Sequence, residues 1–323
     1  MNTEHGQVWW RNPGEQTLHR LRLDAEGGVA FRYAPFQVTP THQVLELIGE
    51  AEACDFPEPG TVRHLRQGEG SGATRTEHEA GVNGALEAID SGVFQKVVLS
   101  RSEFWESTCA PELLFRSKCE AYPNAFVYLF SHPQSGVWLG ATPELLLRAR
   151  GGRFETVSLA GTRSVGSGEW TEKELREQQL VTDFIQGALR TCHAESMQIG
   201  DVHEHAYGQL RHLETHISFT STHSTDEWLE VLHPTPAVGG QPREAALNFI
   251  RTHEVLPRGY YAGYLGLIGT GTADFYVNLR CMACFTNGYR VFAGGGIVEG
   301  SQPRAEWEET RAKIESIRME LAS

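Results

Sequence analysis

The chain has 323 residues, 40% hydrophobic and 10% aromatic, enough to bury one large core or two modest ones. Its formal net charge of −13 argues against a nucleic-acid surface, although an anionic ligand could still be met by locally gathered cations. The start, Met1-Asn-Thr-Glu-His5, has no basic-plus-apolar leader pattern and no stretch reaches the apolar length of a membrane span, so a cytoplasmic protein is expected.

Short strand-like runs such as Val29–Tyr33 open the chain, and a helical pattern is expected around 42 to 53. The glycine-rich stretch Gln67–Thr74 reads as a flexible separator between an N-terminal lobe (1–66) and a core (76–323) of one domain spanning 1–323. A helix from His78 to Ser91 then feeds the apolar run Gly92–Ser100, where β-branched Val93, Val97 and Val98 favour a strand. Lys96 sits in that run on the face of Phe94 and Val98, in a chain with four lysines against 24 arginines. Two readings stay open. An apolar face disfavours the ammonium and would make Lys96 a base, whereas an edge-strand lysine would guard the sheet or snorkel to water.

Residues 111 to 121 read as a helix, followed by a hairpin of Ala125–Phe130 and Val137–Ala141 and by strands Leu145–Arg150 and Phe154–Ala160, an antiparallel meander. A helix from Thr171 to Arg190 opens on a capping box, Thr171-x-x-Glu174. At about 100° per residue, Glu174 and Glu177 project onto the face of Val181 and Ile185. Capping explains Glu174 but not Glu177. A strand Phe275–Arg280 precedes Val291–Val298, a strand running into Gly294, Gly295 and Gly296, which could form a bulge or bring backbone N–H groups to an anion. In the last helix, Arg304–Leu321, Trp307, Thr310, Ile314, Ile317 and Leu321 form the buried stripe, with Glu306, Glu309 and Lys313 along its edge. A Glu309–Lys313 pair at i,i+4 explains two of these by itself. Repetition of Glu-x-x-Glu on two inward-tending helices points instead to a divalent cation, and hard oxygen ligands suit Mg²⁺. Arg280 and Lys313 could complete a carboxylate-binding site.

Six dilute cysteines, including Cys281-Met-Ala-Cys284, read as buried thiols rather than disulfides or zinc ligands. His203-Glu-His205 and His212-Leu-Glu-Thr-His216 invite a metallohydrolase reading, but the latter lacks the glutamate after its first histidine that a zinc-protease helix needs.

Eight ordered segments carry a resemblance: Phe94–Arg101, Gly140–Glu144, Leu159–Arg163, Glu174-x-x-Glu177-x-x-Leu-Val181, His233–Gly240, Arg258–Gly263, Ala293–Val298 and Glu306-Trp-x-Glu309-Thr-x-x-Lys313. From about residue 76 onward the chain resembles the chorismate-utilising enzymes, most of all their isochorismate synthases. The resemblance implies an α+β fold, a two-layer antiparallel β-sandwich flanked by helices. It implies Lys96 as the base that activates water for attack at C2 of chorismate and Glu144 as the acid that protonates the departing C4 hydroxyl. Mg²⁺ is implied on Glu177 and Glu309, with Glu174 and Glu306 acting through water. Arg280, Tyr261, Lys313 and the backbone of Gly294–Gly296 are implied to grip the substrate's other carboxylate, with His212, Gly161 and Thr162 lining the ring pocket. No glutamine amidotransferase subunit, nucleic acid or membrane partner is expected, and a monomer is. The product would feed menaquinone, siderophore or salicylate synthesis. The nearest rival is a salicylate synthase, which goes on to eliminate pyruvate; a non-catalytic binding protein and a histidine-based hydrolase are rivals of other classes.

Overall fold

The computed structural model describes residues 6–23, 28–166, 168–207 and 210–319. Four short strands, β1 (Gln7–Arg11), β2 (His19–Arg22), β3 (Val29–Ala34) and β4 (Leu45–Ala53), precede helix α1 (Arg75–Asp90) and β5 (Lys96–Glu106). Helix α2 (Pro111–Ala121) leads into the meander β6 (Phe126–His132), β7 (Gly136–Thr142), β8 (Leu145–Arg150) and β9 (Arg153–Ser164). Helix α3 (Glu172–Thr191) is followed by β10 (Glu195–Ile199), β11 (His203–Tyr207) and β12 (Leu210–Thr220). After α4 (Thr225–Leu232), β13 (Gly240–Gln241) and α5 (Arg243–His253) come β14 (Tyr264–Gly269), β15 (Thr272–Val277), β16 (Cys281–Phe285), β17 (Gly288–Val298) and α6 (Pro303–Met319).

Pairing between these strands is antiparallel and sorts them into two sheets that share β4. One runs β4-β2-β1-β6-β7-β16-β17-β5-β13. The other runs β4-β3-β14-β15-β8-β9-β12, with β10 and β11 both on β12. Alternation on β6 explains how they stack. Phe126, Tyr128 and Phe130 face the second sheet, with Phe130 at 5.6 Å from Phe31 and Phe126 at 4.7 Å from Tyr276 between ring centroids. Val127 and Leu129 face the other way, into a second core with Phe115 of α2 and Ile314 and Ile317 of α6. Each such fully buried side chain stabilises the fold by about 1.5–3 kcal/mol. The expected α+β sandwich flanked by helices is what forms.

Three expectations fail locally. Residues 45–53 form a strand rather than a helix: Leu45, Leu47 and Gly49 are buried while Glu46, Ile48 and Glu50 are exposed, and this period of two overrides the helix propensity of leucine, glutamate and alanine. The stretch 67–74 is not a free linker. Gly68 exchanges hydrogen bonds with the Asn287 side chain (2.8 and 2.9 Å), Arg290 donates to Ser71 O, and Gly72 lies against the Ser102 backbone so closely that a Cβ would collide with it. Arg280 falls beyond β15, in a left-handed turn conformation (φ 50°). The six cysteines are free thiols, of which Cys119, Cys281 and Cys284 are buried as expected while Cys54, Cys109 and Cys192 are only half-buried, and Cys281 and Cys284 belong to different cores. Among the described residues no helix is long and apolar enough to cross a membrane.

Candidate active site

Lys96 is the first residue of β5 and is wholly buried. It is no edge guard: its backbone pairs with Val298 of β17 on one side and Gln241 of β13 on the other. The side chain ends 2.9 Å from Glu177 Oε1, a contact without hydrogen-bond geometry, and both abut Gly296. A Cβ on Gly296 would collide with Glu177 Oε1 and stand 3.2 Å from Lys96 Cε. A side chain there would displace the Glu177 carboxylate.

Glu144 sits in the tight link between β7 and β8, where its backbone N–H donates to Thr142 Oγ1 (3.3 Å) and Thr142 is itself fixed by donating to Val277 O (2.6 Å). Its carboxyl is 4% exposed. Burial pushes it up to about 8, with Glu214 adding to the rise and Lys96 opposing it, so Glu144 is protonated at neutral pH. His212 of β12 faces the same cavity, its Nδ1 3.1 Å from Gly161 O. Burial, then Arg280 and Lys313, lowers it to about 3, so the ring is neutral, with Nδ1–H donating to Gly161 O and Nε2 left as an acceptor 3.5 Å from Arg280 Nη2. Gly161 is the extra residue where the β9–β12 register slips, and its φ of +66° suits glycine. Thr162 lies opposite His212 in that ladder; its side chain is outside the described residues.

Tyr261, Arg280, Lys313, Gly294 and Gly296 line this cavity with Glu144, Glu177 and His212. The three glycines are not a bulge. They continue β17 in regular register with β5, so Gly294 and Gly296 face the cavity while Gly295 faces α6 near Glu306 and Thr310. Gly295 therefore does not belong to the cavity wall. Lys313 donates to Gly294 O (2.9 Å) and to Glu309 Oε1 (2.8 Å). Arg280 reaches Ser316 Oγ at 3.5 Å. This end of the cavity presents two cations and a phenol.

The four glutamates divide. Glu174 accepts from both the backbone and the hydroxyl of Thr171, so the capping box claims it. Glu177, Glu306 and Glu309 each meet a different lysine: Lys96, Lys173 (2.6 Å) and Lys313. Three of the chain's four lysines thus surround the acidic pair of helices. Glu306, expected at the helix edge, is 1% exposed. Burial raises its pKa against the pull of Lys173, and its Oε2 has no hydrogen-bond partner. Glu309 is held below its usual value because Lys313 and then Lys173 outweigh the effect of burial. Lys173 was missed by motif reading, although the scarcity that singles out Lys96 applies to it equally. The donor chemistry suits a hard cation, carboxylate oxygens without histidine or cysteine, one of them buried with no hydrogen-bond partner, but each carboxylate is turned to its own lysine and the three do not converge as a ligand triad.

A sequence profile described as "Chorismate binding enzyme" matches residues 41–322. The chain is 34% identical over 273 residues to the salicylate biosynthesis isochorismate synthase of Pseudomonas aeruginosa, an alignment covering 80% of this chain and 57% of that protein. To the isochorismate synthase MenF of Haemophilus influenzae it is 33% identical over 250 residues, covering 72% of this chain and 57% of the relative. The chain therefore spans little more than half the length of these relatives. Its fold superposes on the menaquinone-specific isochorismate synthase MenF of Escherichia coli with a TM-score of 0.82 at 21% identity, over 99% of this chain and 89% of that one.

Proposed function

As the chain belongs to the chorismate-binding enzyme family, we propose that it is an isomerase converting chorismate to isochorismate. Water attacks C2 of the ring and gives its proton to Lys96; the ring double bonds shift; the C4–O bond breaks and the hydroxyl leaves as water with the proton of Glu144. One water enters and one leaves. The observation that carries this reading is a buried, protonated glutamic acid in the cavity wall, with the wholly buried Lys96 packed behind Gly296 and near enough to act on that glutamic acid.

Arg280, Lys313 and Tyr261 suit one substrate carboxylate, while the apolar walls, including Leu159, Phe292 and Ile317, suit the ring. Glu177, Glu306 and Glu309 would hold Mg²⁺, with Glu174 kept in its cap. A cation held there would supply positive charge for the substrate's ring carboxylate. His212, neutral and oriented by Gly161, accepts from Arg280 and keeps that guanidinium directed at the cavity.

Incubation with chorismate and Mg²⁺, with isochorismate, salicylate and pyruvate assayed separately, tests the reading. Isochorismate without pyruvate is the expected result. Salicylate with pyruvate would make the protein a salicylate synthase, and unchanged chorismate would defeat both.

A further inference from the structure

A second cluster stands on β11 and β12, where His203 lies opposite Glu214 in the ladder. Period two puts Glu214 and His216 on one face of β12. His203 Nε2 is 3.3 Å and His216 Nε2 2.8 Å from the same atom, Glu214 Oε1, and His205 Nδ1 is 3.6 Å from Oε2. The His203 and His216 rings are parallel to within 4°, with centroids 5.5 Å apart. Ligand atoms of His203, Glu214 and His216 all fall within 4.8 Å of one another, the one triad of its kind among the described residues.

Three features go beyond a surface histidine patch. Glu214 is 5% exposed, and among the described residues its ion-pair partners are imidazoles, with no lysine or arginine. A carboxyl so buried needs a proton, a hydrogen-bond donor or a cation beside it. His203 Nδ1 faces the backbone carbonyl of Asp201 at 3.4 Å, an outer contact that selects the tautomer whose Nε2 lone pair points at Glu214. Two lone pairs in that arrangement need a proton or a metal between them. In a tetrahedral site with bonds of about 2.0–2.1 Å, ligand atoms stand about 3.4 Å apart. The 3.3 Å separation meets this, while the 2.8 Å one would open slightly and the two imidazole nitrogens, within 4.8 Å of each other, would close on the ion.

We propose that His203, His216 and Glu214 form a binding site for a divalent transition ion of the Zn²⁺ class, with His205 the nearest fourth ligand. Imidazole with one carboxylate selects Zn²⁺, Co²⁺ or Ni²⁺ over Mg²⁺, so this site is chemically distinct from the all-carboxylate one. Bound metal clamps β11 to β12 beside His212, which shares the ladder through its pairing with His205.

The test uses untagged, chelator-stripped full-length protein titrated with Co²⁺ and then Zn²⁺ in excess Mg²⁺. The site predicts one Co²⁺ per chain with a tetrahedral absorption spectrum, displacement by Zn²⁺, and a rise in Tm on loading. His203→Ala with His216→Ala should bind more than about 100-fold more weakly, since even outer-shell losses cost 10–100-fold. His223→Ala, on a separate turn, should bind like the parent. The double variant strips the buried Glu214 of its two nearest imidazoles and should lower the metal-free Tm, so His216→Asn alone, at a side chain 64% exposed, carries the binding comparison if the double variant does not fold. Absence of stoichiometric Co²⁺ binding, or binding that the variants leave unchanged, overturns the proposal.

Discussion

Lys96 Nζ and Glu177 Oε1 are 2.9 Å apart, so the amine proposed to accept a proton rests against a carboxylate carried by a different element. The same carboxylate belongs to the proposed cation site. Proton transfer and cation binding therefore share one side chain.

If Lys96 and Glu144 act as base and acid, Lys96→Ala and Glu144→Ala should each lower kcat by about 10²–10⁴, the range of a positioned proton donor or acceptor. Binding of chorismate, followed by calorimetry with the inactive variants, should weaken much less. A histidine-centred hydrolase would instead keep its activity without Lys96.

Activity should fall as pH rises through about 8, because Glu144 must be protonated and burial holds its pKa there. Stability follows the same group. A carboxyl raised from 4.5 to about 8 on folding binds its proton more tightly in the folded state, so its contribution is complete below pH 4.5 and is lost as pH rises through about 8. Glu144→Gln should thus gain stability over the parent with increasing pH, measured as urea midpoints from pH 5 to 9. A constant difference would count against a buried, protonated Glu144.

Gly296→Ala should lower kcat/KM by at least about tenfold, since its Cβ would collide with Glu177 Oε1 and crowd Lys96, and a small misplacement at a reacting group is costly. Gly295→Ala meets Glu306 Oε2 only at 3.4 Å and should be milder. Steady-state kinetics on the two variants gives the order directly.

Much of this site could be read from the chain before any fold was known. Thr171-x-x-Glu174 announces its cap, and Thr310, Ile314 and Ile317 of the expected α6 stripe are buried, whereas Trp307 is half-buried with Glu306 in the inner place and Leu321 lies outside the described residues. The strand at 45–53 was misread because leucine, glutamate and alanine favour helix locally, and only pairing with β2 and β3 makes alternation decisive. Arg280 was placed in a strand because nothing in Phe275–Arg280 signals the left-handed residue that ends it. Lys173 escaped because its partner Glu306 lies on α6, a long-range pairing that no spacing rule reaches.

Lys173→Met tests that pairing. Removing the cation leaves Glu306 Oε1 buried without its partner, a loss of about 1–3 kcal/mol, below the usual figure for a fully buried pair because the Lys173 side chain is 33% exposed. Glu306 has a raised pKa, so the deficit should shrink at low pH, where the carboxyl is neutral, and grow toward pH 8. Added Mg²⁺ should recover part of it. Urea unfolding at two pH values, with and without Mg²⁺, reads all three outcomes.

The most direct test of the central claim, that this cavity delivers water to C2 of chorismate between Lys96 and Glu144, is turnover in ¹⁸O-labelled water with mass spectrometry of the product. Isochorismate carrying one solvent oxygen at C2 is the predicted result. Product whose C2 hydroxyl is unlabelled, moved within the substrate from C4, would contradict it.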